Sequence, residues 1–341
     1  MRILLIGGTG LISVGIIKAL RARPDAGDID ITCFNRGQTK TKDAADLPDD
    51  VHQVHGDRYD VDGMLKLFEG ERFDIVIDMC SFGEDATRAA ADLTRQVGAK
   101  QHVFCSTVCT YGVKVPPHVV IDETVPQEPI SGYGKNKVAC EQHLLECHQR
   151  GDFAATIIRP SHTYGEGAPL IDNLEPDPPT WSRILEGKPV LLADSGMGLW
   201  NSTHRDDCGK AFAAACMNET AFGEAYNATT ERVFSWRDYL TEAAESLGKP
   251  AMVLSMPRDW VAAHDRKRFN LLDEISGYHG AYTSAKARRD LGFACEIEFV
   301  EGARRTLDHA RQTNALPPAS DALIDALCKK AEAAGVRAEA L

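Results

Sequence analysis

Residues 1–13 read MRILLIGGTGLIS, an apolar run that leads into a glycine-rich turn. The β-branched and leucine residues of Arg2–Ile6 predict a short buried strand, and the apolar period of Leu11–Arg21 predicts a helix. Glycines between the two let the backbone turn sharply and approach a pyrophosphate, which the N–H groups and positive end of the helix attract. This stretch therefore predicts a nucleotide-binding turn, although Ser13 stands where a third glycine would let the helix pack closely.

The same alternation continues through the first half of the chain. Further strands are predicted at Ile29–Phe34, Val51–His55, Asp74–Asp78, His102–Cys105 and Ala154–Ile158, and further helices at Val61–Phe68, Glu84–Val97 and Tyr133–His148. Repeated βαβ units with right-handed crossovers predict an α/β fold, a Rossmann-like doubly wound parallel sheet with a smaller C-terminal substrate-binding lobe.

A change of residue composition after position 165 indicates where one domain ends and the next begins. Residues 165–180 read GEGAPLIDNLEPDPPT, which is rich in proline, glycine and acids and predicts a loop leaving the first lobe. We expect residues 1–165, rejoined by 202–232, to form the nucleotide-binding domain, and 166–201 with 233–341 to form the substrate lobe. Later, AYNATT predicts a strand, SWRDYLTEAAESLG a helix closed by Gly248, and Asp321–Ala340 an exposed amphipathic helix.

The composition excludes several classes of protein. With 341 residues, 43% of them hydrophobic and 26% charged, the chain is typical of a soluble globular protein, and no stretch has the length of a membrane span. A net charge of −12 makes nucleic acid an unlikely partner. The ten cysteines form no C-x-x-C pair, which favours a reduced, cytoplasmic setting without a metal site. A signal peptide is the alternative for the first twenty residues, but glycines interrupt their apolar run.

The residues after the second and third strands indicate which nucleotide the chain would bind. Asn35 and Arg36 follow the second strand, where an acidic residue would bind a ribose 2′-hydroxyl. Arg36 would instead pair with a 2′-phosphate, which favours NADP over NAD. The alternative is a solvated arginine in a turn. After the third strand, Asp57 stands where a carboxylate would accept a hydrogen bond from the adenine amine.

An acid–base pair begins the fourth predicted helix. Tyr133 and Lys137 lie one turn apart on the same face. A nearby ammonium would lower the pKa of the phenol toward the range of general acid–base catalysis. Thr107 follows a strand and supplies a hydroxyl to orient a substrate alcohol. Alone, the Tyr-x-x-x-Lys spacing is common by chance and usually structural.

With the glycine turn, the strand-end hydroxyl and this pair in order, the chain resembles the extended, or atypical, short-chain dehydrogenase/reductase family, the NAD(P)-dependent epimerases and dehydratases. The matching segments span nearly the whole chain: GGTGLIS, HGDRYD, VFCSTVCTYG, YGKNKVACE, IIRPSHTYGEG, THRDDCGKAF, AYNATT, TSAKARRDLGF and EGARRTLDHAR.

The resemblance implies roles for particular residues. The implied catalytic residues are Thr107, Tyr133 as general acid or base, and Lys137, which also holds the nicotinamide ribose. The implied NAD(P) contacts are Gly7, Thr9, Gly10, Leu11, Ile12, Asn35, Arg36, Asp57, Arg58, Tyr133, Lys137 and Pro160. It also implies a homodimer formed through the helices near Glu84–Val97 and Tyr133–His148.

Departures from the family pattern narrow the range of expected reactions and substrates. Val108 and Cys109 replace the acidic pair of the family's 4,6-dehydratases, so we do not expect a dehydratase. Trp200 stands where nucleotide-sugar epimerases have an arginine that clamps the diphosphate, and an aromatic ring there suits an apolar sugar face. The candidate substrate contacts are Cys109, His162, Asn173, Trp200 and Arg205. For Cys109 the alternative is a small packing residue, and for His162 a structural histidine.

These observations leave three hypotheses. The first is an enzyme that oxidises, reduces or epimerises a secondary alcohol of a sugar-like small molecule. The second is a simple reductase of an aromatic or ketone substrate. The third is a non-catalytic, RNA-associated scaffold, because FNRG and WSRILEGKPV resemble the atypical branch that includes the chloroplast stem-loop-binding proteins. The acidic composition and the intact Thr107, Tyr133 and Lys137 argue against the third.

Overall fold

The computed structural model of the protein describes residues 1–38, 47–114, 119–168 and 170–341. Its strands are β1 Arg2–Ile6, β2 Asp30–Asn35, β3 His52–His55, β4 Ile75–Asp78, β5 Gln101–Cys105, β6 Val120–Ile121, β7 Ala154–Pro160, β8 His162–Tyr164, β9 Val190–Ala193, β10 Leu199–Trp200, β11 Ser202–His204, β12 Ala225–Ala228, β13 Phe234–Ser235, β14 Met252–Met256, β15 Ala281–Tyr282 and β16 Glu339–Ala340. Its α-helices are α1 Leu11–Arg21, α2 Val61–Leu67, α3 Glu84–Gln96, α4 Gly132–Gln149, α5 Thr180–Leu185, α6 Arg205–Ala215, α7 Trp236–Ser246, α8 Arg258–Ala262, α9 Asn270–Glu274, α10 Ala285–Leu291, α11 Phe299–Gln312 and α12 Ala322–Ala333.

A parallel sheet of seven strands in the order β12-β7-β5-β4-β1-β2-β3 forms the centre of the molecule. Apolar residues of α1, α6 and α10 cover one face of this sheet, and those of α2, α3 and α4 cover the other. Because both faces are buried, the inner strands consist mainly of buried residues, and the polar ones among them, such as Gln101 and Arg159, are hydrogen-bonded. The predicted doubly wound α/β fold is confirmed.

Residues after Tyr164 build two further apolar clusters. One contains three buried tryptophans, Trp181, Trp200 and Trp236, and α11 packs on it. The other joins β9 and β14 to the buried face of α12. The chain also returns to the central sheet, since β12 pairs with β7 at its edge. The lobe boundaries predicted from the sequence stay a prediction.

Two helical glycines hold α1 unusually close to α6. A Cβ atom on Gly15 would lie 2.1 Å from the carbonyl oxygen of Arg205, and one on Gly209 would lie 2.2 Å from the carbonyl carbon of Gly15. The expectation that Ser13 loosens the packing of α1 at its own position stays a prediction. The side chain of Ser13 is buried and donates a hydrogen bond to the carbonyl of Gly7 at 2.8 Å, and Gly15 provides the close approach.

The predicted first-half strands and helices agree with the structure to within two residues, and α7 ends just before Gly248, whose φ of +65° suits a helix end. The predicted C-terminal helix is wrong in length and exposure. Helix α12 stops at Ala333, its Ile324, Leu327, Cys328 and Ala331 are buried, and β16 pairs with β14. Among the described residues, no helix combines the length and the apolar character needed to cross a membrane.

Candidate active site

The carboxyl ends of β1, β4, β5 and β7 open into one crevice, the place where doubly wound sheets bind ligands. It has a larger depression of about 400 Å³ and a smaller one of about 220 Å³. Both are lined by Gly7, Gly10, Cys80 and Phe82. The larger depression is also lined by Leu11, Ile12, Ser13, Met79, Cys105, Ser106, Thr107, Tyr133, Lys137, Pro160, Ser161 and Thr163.

The glycine turn forms the floor of this crevice. Gly7 has a φ of +85°, which L side chains rarely adopt, and a Cβ atom there would lie 3.0 Å from the sulfur of Cys80. The N–H of Gly10 donates to the carbonyl of Gly7 at 3.1 Å, and α1 begins at the next residue. The first N–H groups of α1 have no acceptor within the helix, so the turn fits the pyrophosphate of a dinucleotide.

The smaller depression lies between the ends of β2 and β3. It is lined by Ile6, Thr9, Phe34, Asn35, Arg36, Gly56, Arg58 and Tyr59 in addition to the shared residues. The Nδ2 atom of Asn35 is buried without a partner among the described residues, and Arg36 beside it is exposed. Asp57 is exposed and does not line the depression; its carboxylate accepts from the N–H of Tyr59 at 3.0 Å.

The structure brings Thr107, Tyr133 and Lys137 to the larger depression. Tyr133 lies in the first turn of α4, which Ser131 caps by accepting a hydrogen bond from the N–H of Gly134. Lys137 is 1% exposed, and its Nζ donates to the carbonyls of Ser81 at 2.8 Å and of Cys105 at 2.6 Å. The phenol and the ammonium therefore reach the crevice from one face of one helix.

The expected lowering of the pKa of Tyr133 is wrong for this structure. Burial of the phenol is the largest influence and raises its pKa, and a hydrogen bond with Thr107 only partly opposes that effect. The Nζ of Lys137 lies 5.9 Å from the centroid of the Tyr133 ring and is directed to two backbone carbonyls instead. A sequence spacing places the two residues on one face but does not fix where the ammonium points.

None of the five candidate substrate contacts is among the described residues that line the crevice. Cys109 is half-buried, its backbone N–H donates to the Thr107 hydroxyl at 3.2 Å, and its pKa is raised mainly by burial. The other four are His162, Asn173, Trp200 and Arg205.

Each of these four has a place in the packing. Trp200 is 3% exposed and stacks on Trp236 with ring centroids 4.5 Å apart. His162 contacts Trp200 and Ser202, and burial lowers its pKa to about 4. Asn173 is buried and bonds Ala193, and Arg205 is buried with its guanidinium on the backbone of Glu166. The structure does not bring Arg205 into the crevice, because its side chain packs against Gly165 and Glu166.

Phe82 is a residue of the crevice that the sequence did not single out. It is 50% exposed, its ring centroid lies 6.3 Å from that of Tyr133, and the Nζ of Lys137 lies 4.9 Å from its centroid. An exposed phenylalanine four residues after a buried strand was the available signal. Only the fold shows that this strand ends beside α4.

Comparisons with known proteins identify the family of the chain. The sequence model of the NAD dependent epimerase/dehydratase family matches residues 3–229. A 2′-dehydrokanamycin reductase from Streptomyces kanamyceticus is 30% identical over 262 residues, which cover 77% of this chain and 71% of the reductase. The chloroplast stem-loop binding protein of 41 kDa b from Arabidopsis thaliana is 27% identical over 328 residues, 92% of this chain and 80% of that protein.

Solved structures show the same fold at low identity. A UDP-glucose 4-epimerase from Thermotoga maritima, solved with UDP-glucose, superposes with a TM-score of 0.72 at 18% identity and covers 92% of this chain and 100% of its own. A dTDP-glucose 4,6-dehydratase from Streptomyces venezuelae, solved with NAD, has a TM-score of 0.74 at 20% identity, with coverage of 92% and 98%.

Proposed function

Because the chain belongs to the NAD dependent epimerase/dehydratase family, we propose that it transfers hydride between a nicotinamide dinucleotide and a secondary alcohol or ketone of a sugar-like molecule. The main support for this proposal is that Thr107, Tyr133 and Lys137 all line the crevice whose floor is the glycine turn. A bound nicotinamide supplies the hydride acceptor or donor.

The chain's own residues perform the acid–base part of the reaction. In the reduction direction, the phenol of Tyr133 gives its proton to the ketone oxygen, and in oxidation the phenolate takes that proton back. With its pKa raised, the phenol is protonated near neutral pH, the form that donates the proton in reduction. Thr107, whose hydroxyl reaches Tyr133, orients the substrate oxygen, and Lys137 holds the cofactor ribose.

We also propose NADP as the preferred dinucleotide. Arg36 is exposed at the rim of the smaller depression. A guanidinium is a cationic donor, so it suits a 2′-phosphate better than it suits a free hydroxyl. The expected adenine contact of Asp57 is not part of this proposal, because Asp57 does not line the smaller depression.

The likeness to the 2′-dehydrokanamycin reductase favours a reductase of a ketone on an amino-sugar or related glycoside. The competing epimerase function is supported by the fold of the UDP-glucose 4-epimerase. The two differ in the fate of the cofactor: an epimerase keeps its reduced cofactor until the keto intermediate has been reduced again, whereas a reductase exchanges it at every turnover.

The decisive experiment identifies the nucleotide and then the substrate. Purified protein is treated with acid, any released nucleotide is quantified, and the emptied protein is titrated with NADP and NAD. Oxidation of NADPH is then followed with a panel that includes 2′-dehydrokanamycin and keto-hexoses, while UDP-glucose serves for epimerisation. Reversible NADP binding with turnover of a ketone supports the proposal. Stoichiometric retained cofactor with UDP-glucose epimerisation would replace reductase by epimerase, and binding of neither dinucleotide would overturn both.

A further inference from the structure

A buried polar network begins at the carboxyl end of β4, beneath the crevice. Asp78 is fully buried, and its Oδ1 accepts hydrogen bonds from the N–H groups of Cys80 at 3.0 Å and Ser81 at 3.1 Å. Its Oδ2 accepts a hydrogen bond from the hydroxyl of Ser81. One carboxylate therefore fixes the conformation of the loop that leads from β4 to α3.

Arg58, in the loop between β3 and α2, also holds the β4–α3 loop in place. The guanidinium of Arg58 is 7% exposed as a side chain and donates to Asp78 at 3.1 Å and to the Ser81 hydroxyl at 2.6 Å. It also donates to the carbonyl of Ala86 at 2.9 Å, in the first turn of α3. Although burial acts in the opposite direction, the Arg58 charge and the hydrogen bonds hold the pKa of Asp78 at about 2, so the pair is ionised at neutral pH.

The same loop also holds the lysine of the candidate active site. The carbonyl of Ser81 accepts a hydrogen bond from the Nζ of Lys137 at 2.8 Å. The next residue, Phe82, places its ring 4.9 Å from that ammonium. The position of Lys137 therefore depends on the backbone of the β4–α3 loop, which Arg58 and Asp78 fix from the opposite side.

We propose that Arg58 and Asp78 are positioning residues for Lys137, acting through Ser81. Arg58 lines the smaller depression while its hydrogen bonds reach the loop under the larger one, so the pair links the two halves of the crevice. The importance of Lys137 for turnover rests on the proposed function, but its position can be tested without any substrate.

The test measures how accessible Lys137 is to an amine reagent. Full-length protein is treated with trace acetic anhydride at neutral pH, and the acetylation rate of Lys137 relative to the exposed Lys100 is measured by mass spectrometry. We expect Arg58→Met to raise this relative rate about tenfold, because labelling of a buried amine follows the population of locally open states. Arg58→Lys keeps a cation beside Asp78 and should restore much of the protection.

A second buried arginine provides the matched control. Arg183 is 2% exposed and pairs with Asp325 while donating to the carbonyls of Pro189 and Ala319, far from the crevice in sequence and packing. Arg183→Met therefore removes a buried guanidinium and its ion pair with Asp325, whose side chain is 40% exposed, and the relative labelling of Lys137 should stay at the wild-type value. Equal labelling in this variant and in Arg58→Met would overturn the proposal, because it would show general loosening.

Ser81→Ala covers the case in which Arg58→Met does not fold. It removes only the hydroxyl that joins Asp78 to Arg58, so a smaller rise in Lys137 labelling is expected. Continued protection of Lys137 in every variant that folds would overturn the proposal.

A kinetic test applies if the protein reduces one of the panel ketones. The kcat for that ketone should fall about 10²-fold in Arg58→Met, the typical cost of a displaced catalytic group, and recover in Arg58→Lys. Failure of all substrates would contradict the proposed function while leaving the labelling result valid.

Discussion

At the scale of single residues, Tyr133 decides whether the crevice is an active site. Tyr133→Phe keeps the ring beside Phe82 and removes only the hydroxyl that reaches Thr107. We expect NADP to bind with nearly unchanged affinity and ketone reduction to slow by about 10²–10⁴-fold, the usual contribution of a general acid. Fluorescence titration with NADPH and steady-state assays measure the two quantities.

The matched control for this change is Tyr226→Phe. Tyr226 is buried on β12, and its hydroxyl donates to the carbonyl of Thr220 at 3.0 Å, outside the crevice. The Tyr226→Phe variant loses the same oxygen atom as Tyr133→Phe but outside the crevice, so its kcat should remain at the wild-type value. Wild-type turnover in Tyr133→Phe would remove Tyr133 from the proposed mechanism.

The prediction about cofactor preference can be tested by replacing Arg36. Arg36→Asp replaces a donor beside Asn35 with an acceptor that repels a 2′-phosphate and suits a 2′-hydroxyl. The dissociation constant for NADP should rise about 10–100-fold, as for loss of a hydrogen bond to a charged group, while that for NAD falls or stays constant. Arg311→Asp makes the same charge change at an exposed site on α11 and should alter neither constant. Equal weakening of both cofactors by Arg36→Asp would contradict the 2′-phosphate argument.

At the scale of secondary structure, the contact of α1 with α6 depends on having no side chain at Gly15. A glycine-to-alanine change inside a helix usually stabilises it, by up to about 1 kcal/mol. At Gly15 the new methyl group would lie 2.1 Å from the backbone of Arg205, so the helices must separate. We expect Gly15→Ala to lower the free energy of unfolding by about 1–3 kcal/mol, the usual cost of overpacking, and to weaken NADP binding because α1 forms the phosphate site.

Urea denaturation and NADPH titration check this prediction. Gly27→Ala is the control, because a Cβ atom there meets nothing within 4 Å. It should leave both the free energy of unfolding and cofactor affinity close to wild type. A Gly15→Ala protein as stable as wild type would show that α1 and α6 adjust without strain.

The same elements show how far the sequence predicts the structure. Buried strands such as Arg2–Ile6 are apolar after their first residue and end at turn residues, so their bounds follow from local pattern. The C-terminal helix ends earlier than predicted because Gly335, with a φ of +89°, terminates it, a local signal that the prediction overlooked. Pairing of β16 with β14, by contrast, is a long-range contact that local periodicity does not contain. For the same reason the placements of Arg205 and Phe82 were not predictable, whereas Thr107, Tyr133 and Lys137 belong to local motifs at strand and helix ends.

At the scale of the whole molecule, the homodimer predicted from the family resemblance stays a prediction. The structure shows α3 and α4 packed side by side on one face of the sheet, as the resemblance requires. The outward residues of α3, among them Glu84, Arg88, Asp92 and Arg95, are charged. An interface here would therefore depend on polar complementarity more than on a large apolar surface.

Glu166 joins three distant parts of the chain and controls how stability varies with pH. It follows β8, and its carboxylate lies 2.6 Å from the guanidinium of Arg305 on α11 and 3.3 Å from Nε2 of His204 on β11. The oxygen and nitrogen atoms of Glu166, His204 and Asp206 come within 4.8 Å of one another, but Arg305 already provides a positive charge to both carboxylates. Burial alone would raise the pKa of Glu166, and the close contact with His204 together with the hydrogen bond from Arg305 outweighs it and lowers the pKa well below its usual value.

The lowered pKa sets the sign of the pH dependence. A carboxylate with a lower pKa in the folded state stabilises the fold above its unfolded pKa of about 4.3, and this stabilisation disappears as the pH falls further. We therefore expect Glu166→Gln to reduce the free energy of unfolding by about 2 kcal/mol at pH 7, as for loss of a hydrogen bond to a charged group, and by progressively less below pH 4. Urea midpoints at pH 7, 5 and 3.5 measure this, with Glu301→Gln as control, because the pair of Glu301 with Arg304 is exposed and worth little. A constant difference between wild type and Glu166→Gln across this range would show that packing of residue 166, and not its charge, joins β8 to α11.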